Sequence, residues 1–325
     1  MDTVKIGIIG TGWIAEKMAI TLEGMEGVEA YAVASRQLQT ACDFADRWGF
    51  TRAYGSYEEM LDDEEVELVY IATPHSHHFE HARMSLLKGK AVLCEKAFTA
   101  NARQAEELLN LAKEKELFIT EAIWTRYMPL SHTINDLVTS GIIGRPMTLS
   151  ALGYPIGNRE RLRQPALAGG ALLDLGVYAL NFASMVFGTE VERVTSTCVK
   201  TDTGVDAQNS ITLTFKDGKI AVLHSSMLSM TDRQGIISGD KGHLIIENIN
   251  NPQRIRVVTE DYKTAVVYNC PPQITGYEYQ VYASMEALRN GWLESPYMPH
   301  AETLRIMRMM DDLRREWGVR YPADE

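Results

Sequence analysis

Apolar and polar positions in the first third of the chain alternate between two rhythms. Val4–Ile9 is a compact apolar run ending in Gly10, the pattern of a strand buried on both faces. Ile14, Met18 and Leu22 then recur every four residues with Ala15 and Ala19 beside them, which marks one face of a helix. The alternation repeats. Val28–Ala34 predicts a second strand, and Ala41, Phe44, Ala45 and Trp48 form a helical stripe stopped by Gly49. Ser56 with Glu59 is a capping-box signature opening a short helix, and 66–72 is a third strand. A helix over about 76–88 ends at Gly89, 91–94 is a strand, and Asn101 with Gln104 caps a helix. That helix buries Ala105, Leu108, Leu109 and Ala112, and 117–120 closes the series. Repeated βα units predict a parallel sheet with helices on both faces. Ligands of such sheets bind beyond the carboxyl ends of the strands, here just after Ile9, Ala34, Ala72 and Cys94.

Past Glu121 the rhythm changes. Helices are predicted near 130–140 and 170–187, then strand-like runs at 193–200, 210–215, 219–226, 235–237, 243–247, 254–258 and 264–268. Turn residues separate these runs, as in Lys216-Asp217-Gly218 and Asn250-Asn251-Pro252, so antiparallel hairpins fit best. Helices at about 277–290 and 301–317 finish the chain. The expected domains are 1–121, a doubly wound nucleotide-binding unit, and 122–325, an α+β unit.

The length of 325 residues, 45% hydrophobic and 23% charged, suits two ordinary domains. The net charge of 32 − 43 = −11 argues against binding to nucleic acid and to anionic membrane surfaces. Four scattered cysteines without CxxC spacing read as reduced thiols of a cytoplasmic protein, and the amino terminus lacks a signal-peptide pattern. The longest apolar stretch, 171–187, is interrupted by Asp174 and Asn181, so no membrane span is expected.

Gly10-Thr11-Gly12-Trp13-Ile14-Ala15 follows a strand and opens a helix, as the G-x-G-x-x-A dinucleotide fingerprint requires. Gly10 permits the tight turn, Gly12 lets backbone N–H groups approach a pyrophosphate, and Ala15 lets the helix lie close to the strand. The second strand ends in Ser35-Arg36 where an acidic residue would bind a ribose 2′-hydroxyl. A guanidinium and a hydroxyl suit a 2′-phosphate, which favours NADP with NAD as the alternative. Glu95 and Lys96 fall at the carboxyl end of another strand; a surface ion pair is the competing reading. Asp174 and Tyr178 are four apart and interrupt an apolar helix, as a structural hydrogen-bond pair also would. His75, His77, His78 and His81 cluster after Pro74. Although His77 and His81 have zinc-ligand spacing, no thiolate or carboxylate joins them. No metal is expected; these histidines are read as capping the helix and lining the cofactor cleft.

Taken together, Gly10-x-Gly12-x-x-Ala15, Ala72-Thr73-Pro74 with His78, Glu95-Lys96 and Asp174-x-x-x-Tyr178 resemble the Gfo/Idh/MocA oxidoreductases. Residues 90–96, 121–126, 169–176 and 317–322 resemble the branch of dimeric dihydrodiol dehydrogenases and NADP-dependent D-xylose dehydrogenases. The resemblance implies a Rossmann domain followed by an α+β domain with a large open, mainly antiparallel sheet, usually the interface of a homodimer or higher oligomer. It implies a cofactor site of Gly10, Gly12, Trp13, Ile14, Ser35, Arg36, Thr73, Pro74, His75, His78, Glu95 and Lys96. Trp124 and Arg126 would face the substrate, with Asp174 and Tyr178. Two positions depart from the family pattern. Ala97 follows Lys96 where proline is usual, and 37–40 lacks the further basic residue of the branch.

The expected reaction transfers hydride between the nicotinamide and a secondary alcohol of a sugar or trans-dihydrodiol. Tyr178 would be the acid–base group, Lys96 its activator and Asp174 an orienting carboxylate. The alternatives are a redox-neutral enzyme with retained NAD(P), glycosidase-like in its chemistry, and a non-catalytic nucleotide sensor.

Overall fold

The computed structural model describes residues 3–152 and 160–325. The chain divides into two compact units, Met1–Ile123 with Gln273–Arg308, and Trp124–Pro272 with Met309–Glu325. Residues 273–308 thus group with the first unit, whereas the hydrophobic pattern placed all of 122–325 in the second.

The first unit is built on β1 (Val4–Ile9), α1 (Trp13–Glu23), β2 (Val28–Ala34), α2 (Leu38–Trp48), β3 (Arg52–Tyr54) and α3 (Tyr57–Leu61). It continues through β4 (Leu68–Ile71), α4 (His75–Leu87), β5 (Ala91–Glu95), α5 (Ala102–Glu114) and β6 (Ile119–Ala122). The strands form one sheet in the order β3-β2-β1-β4-β5-β6, with every pairing parallel. Ile6, Ile8, Ile9, Leu68 and Ile71 are fully buried, as strands covered on both faces require. The capping residues act as their spacing predicts. Ser56 Oγ accepts from Glu59 N at 3.2 Å and Asn101 Oδ1 from Gln104 N at 3.0 Å. Strand order reverses between β1 and β4, and a crevice at such a reversal is where nucleotides bind in this architecture.

The second unit contains α6 (Pro129–Thr139), β7 (Pro146–Leu152), a π-helical turn (Leu172–Gly176) and α7 (Val177–Phe187). The strands β8 (Val191–Lys200), β9 (Asp206–Phe215), β10 (Ile220–Ser226) and β11 (Gly235–Gly239) follow. The last three are β12 (Gly242–Glu247), β13 (Arg254–Thr259) and β14 (Thr264–Asn269). They make an eight-stranded sheet in the order β14-β13-β12-β11-β7-β10-β9-β8. All its pairings are antiparallel except β7 with β10. Strict alternation in β9 buries Ala207, Asn209, Ile211, Leu213 and Phe215 on one face. Helix α7 is buried around nearly its whole girth and packs against β7 and β10. By length and composition the 23-residue run Pro165–Phe187 could cross a membrane, yet 89% of its most apolar window is buried inside the protein. It is a core helix by that measure.

The chain ends with α8 (Glu278–Asn290) and α9 (His300–Trp317). In the first unit, Ile119 N donates to Leu293 O at 3.1 Å, which ties the segment after α8 to the edge strand β6.

Candidate active site

The nucleotide cradle follows from the glycines at the end of β1. Gly10 sits at φ +106°, a region side chains rarely adopt, and a Cβ there would lie 3.0 Å from the Ala72 carbonyl oxygen. Gly10 N donates to Ala34 O at 3.0 Å and Ala72 N to Ile9 O at 2.9 Å, so the ends of β1, β2 and β4 converge on this turn. Gly12 is the N-cap of α1 without a side-chain cap, and a Cβ built on it meets nothing within 4 Å. Open space over uncapped N–H groups at a helix start is what a pyrophosphate needs. Trp13 stands half exposed beside it, under the Lys17 ammonium at 5.8 Å, while Ile14 is half-buried. The residues present therefore fit a dinucleotide.

At the end of β2, Ser35 N donates to Tyr54 O at 3.2 Å, which sets Ser35 and the exposed Arg36 alongside the chain leading into α3. The Arg36 charge is felt by two neighbours, Tyr57 and His81. Burial raises the Tyr57 hydroxyl pKa. His81 is pushed down to about 4 by burial, then by His77, His78 and Arg36, so its ring is neutral near pH 7. Tyr57 meets the His81 ring edge-on at 4.6 Å, and His77 stacks on it at 5.7 Å. His81 Nδ1 lies 3.0 Å from Thr73 Oγ1. The histidines are thus a packed column, and among the described residues no three His, Cys, Asp or Glu gather in a metal-binding group.

His78, fully buried, bridges two turns. Its Nδ1 is 2.8 Å from Ala97 O and its Nε2 is 2.8 Å from Thr73 O. The bridge ties the Thr73-Pro74 turn, which is the start of α4, to the turn after β5 that carries Lys96. His75, also buried, meets the His78 ring edge-on at 5.7 Å. The Glu95 carboxylate is buried; it accepts from the Tyr70 hydroxyl and, at 3.3 Å, from Lys96 N. The Lys96–Ala97 peptide is cis, and Phe98 N donates to Glu121 Oε1 at 3.2 Å. Between the two acids the Cys94 thiol is pushed well above its ordinary pKa, by burial first and then by Glu95 and Glu121. Lys96 itself is partly exposed at the carboxyl edge of the sheet.

The second unit gathers the other predicted residues around α7. Trp124 and Arg126 lie on a 3₁₀ turn, Trp124–Tyr127. Arg126 Nε donates to Asn181 Oδ1 at 2.6 Å, and buried Asn181 donates through Nδ2 to Val177 O at 2.8 Å. Asp174 is buried within the π turn and faces Arg161 Nη2 at 3.7 Å. Tyr178 is also buried, in the first turn of α7. The sequence predicted one continuous helix over 170–187. The π turn widens it just before α7, so the Asp174–Tyr178 spacing is not that of an unbroken α-helix. Asn181 and Arg161 were not among the predicted site residues. Asn181 shows in sequence only as a polar break in an apolar run; Arg161 gives no local signal.

A family model described as an oxidoreductase family with an NAD-binding Rossmann fold matches residues 4–122, and one for the GFO/IDH/MocA C-terminal domain matches 131–245. Trans-1,2-dihydrobenzene-1,2-diol dehydrogenase from Mus musculus is 33% identical over 99% of this chain and 99% of its own. D-xylose 1-dehydrogenase (NADP(+)) from Hypocrea jecorina is 35% identical, over 98% of this chain and 93% of its own. Among solved structures, KijD10, a 3-ketoreductase from Actinomadura kijaniata in complex with NADP and TDP-benzene, superposes with a TM-score of 0.87. It is 26% identical and covers 97% of this chain and 98% of its own. Fold, cradle and matches together define an NAD(P)-binding oxidoreductase acting on CH–OH groups. The chain belongs to the Gfo/Idh/MocA family. Redox-neutral and sensing roles are not favoured, since the relatives are named dehydrogenases and a ketoreductase.

Proposed function

We propose that this enzyme transfers hydride between NADP and a secondary alcohol of a sugar or a trans-dihydrodiol, with Tyr178 as the acid–base group and Lys96 as its activator. The observation that carries the reading is a buried phenol and a buried carboxylate, Tyr178 and Asp174, which with Asn181 and Ser184 interrupt a mainly apolar core segment. The relatives' named substrates supply the class: a dihydrodiol and an aldose, each a vicinal diol. Solved forms of the KijD10 ketoreductase include one with a single Tyr-to-Phe change and one with a single Lys-to-Ala change, the same two residue types.

When bound, the nicotinamide supplies the hydride acceptor or donor. The residues of this chain manage the proton. A tyrosine hydroxyl with its ordinary pKa of about 10 is a poor base near neutrality, and a neighbouring ammonium favours its ionised form. Lys96 supplies that ammonium and donates to the substrate oxygen as charge develops on it. Tyr178 takes the hydroxyl proton during oxidation and returns it during reduction. Asp174, held by Arg161, accepts from a second hydroxyl of the diol, and Arg126, held by Asn181, lines the same side with Trp124. Gly10, Gly12, Trp13, Ile14, Thr73, Pro74, His75 and His78 hold the dinucleotide, and Ser35-Arg36 take a 2′-phosphate. The buried Glu95 serves this site from beneath, by fixing the backbone of Lys96.

Replacing Tyr178→Phe or Lys96→Met is expected to lower kcat at least about a hundredfold with D-xylose or a trans-dihydrodiol and NADP. Near wild-type kcat in either variant removes that residue from the acid–base role. We also place the enzyme in the cytoplasm, on its four free cysteines, as a homodimer or higher homo-oligomer formed through the outer face of the eight-stranded sheet. That face leaves Ile220 39% and Val222 46% exposed.

A further inference from the structure

Two consecutive glycines precede the π turn, and each is forced by a neighbour. A methyl group at 169 would overlap the Leu162 carbonyl oxygen, and one at 170, where φ is +121°, would overlap Oδ1 of Asp206. Asp206 is the first residue of β9 and is wholly buried. Its Oδ2 accepts from Leu172 N at 2.7 Å and from Asn209 Nδ2 at 2.9 Å, while Oδ1 has no hydrogen-bond partner among the described residues. Leu172 N is the first N–H of the π turn, so a carboxyl 34 residues away in sequence caps that turn. On the other side, the Tyr321 hydroxyl donates to Gly169 O at 2.5 Å.

The tail that brings Tyr321 is itself fixed. The Arg314 guanidinium lies 4.3 Å from the Tyr321 ring centroid and bonds Asp324 and Asp311, each at 2.7 Å, while Tyr321 N donates to Asp324 Oδ2 at 2.9 Å. A buried carboxyl is a costly way to satisfy one backbone N–H and one side-chain amide if stability were its only use. What this one holds is the start of the segment that carries Asp174 and Tyr178.

We propose that Asp206 and Tyr321 are positioning residues for catalysis: a two-sided clamp on Gly169-Gly170 that sets the π turn, and through it Asp174 and Tyr178. The proposal rests on the reading of Tyr178 as the acid–base group. A displacement of about 1 Å at a catalytic group costs up to about a hundredfold in rate, so the clamp acts on kcat rather than on cofactor affinity.

The test compares Asp206→Ala, Asp206→Asn, Tyr321→Phe and Tyr178→Phe. Each is assayed for kcat and KM with D-xylose and with a trans-dihydrodiol in the presence of NADP. Each is also assayed for NADPH affinity by fluorescence titration and for folding by circular dichroism. Asp206→Ala and Tyr321→Phe are expected to lose about tenfold or more in kcat with NADPH affinity held within about twofold. Asp206→Asn keeps an oxygen acceptor for Leu172 N and recovers most of the loss. Tyr321→Phe removes a single oxygen from the tail, so it reads the clamp even where Asp206→Ala does not fold. The clamp is overturned if both variants keep kcat within about twofold while Tyr178→Phe is inactive, or if Asn is no better than Ala. A Tyr178→Phe enzyme of normal kcat overturns the acid–base reading instead, and the clamp's catalytic role with it.

Discussion

At Ser35-Arg36 the second strand ends on a hydroxyl and a guanidinium, where a ribose-binding fold of this kind otherwise carries a carboxylate. Arg36→Asp removes the phosphate partner and restores a 2′-hydroxyl acceptor. KM for NADP should rise at least about tenfold while KM for NAD stays level or falls, read from initial rates with each cofactor. An unchanged preference would move the 2′-phosphate elsewhere. Arg36 stands out as a candidate in sequence because its position relative to the strand end carries the meaning. Lys96, Glu95 and Tyr178 stand out as candidates for the same kind of reason: each is a polar residue where an apolar element stops or is interrupted. Asn181, Arg161 and Asp206 do not. Their significance lies in partners 55, 13 and 34 positions away, namely Arg126, Asp174 and Leu172. Nothing in local spacing announces such pairs.

Among the elements, those that follow a periodicity or a cap are where the sequence puts them. The Asn101 cap is an example. Asn101→Ala should destabilise the protein by about 1 kcal/mol, measured by denaturant unfolding, because Gln104 N then loses its acceptor at the start of α5. A change below a few tenths would show the cap to be dispensable. β3 and β7 escaped notice for opposite reasons. β3 has three residues, too few to show a period, and β7 opens on Pro146 two residues after Gly144 and is followed in sequence by Gly153 and Pro155, so it reads as loop. The π turn escaped because a hydrophobic stripe does not distinguish one extra residue in a turn.

The buried carboxyl at the head of β9 also gives that element a pH signature. Burial pushes Asp206 up to about 7 from an ordinary 3.8, opposed by its bonds to Leu172 and Asn209 and by Arg314. The folded protein therefore holds this proton more tightly than the unfolded chain. Its contribution to stability is fully present below about pH 4 and is lost as pH rises through about 7, on the order of 4 kcal/mol in all. Thermal melts of wild type and Asp206→Asn should diverge across that window, with the variant flatter. Parallel curves from pH 4 to 8 would mean that Asp206 is ionised throughout.

Over the whole molecule, the two units carry different halves of the proposed chemistry: the dinucleotide cradle and Lys96 in one, Asp174, Tyr178, Trp124 and Arg126 in the other. The chain's return, with 273–308 grouped in the first unit, was invisible to a reading that runs in sequence order. If the proposed self-association runs through exposed Ile220 and Val222, wild type scatters light as more than one chain and Ile220→Glu with Val222→Glu reduces that mass to a single chain. An oligomer of unchanged mass would place the interface elsewhere. The central proposal, that Lys96 activates Tyr178, is tested most directly by a double-mutant cycle on kcat with Lys96→Met and Tyr178→Phe. If they work as one device, the double variant is no slower than the slower single variant, within about threefold. Losses that multiply would show that the two side chains act independently, and would contradict the account.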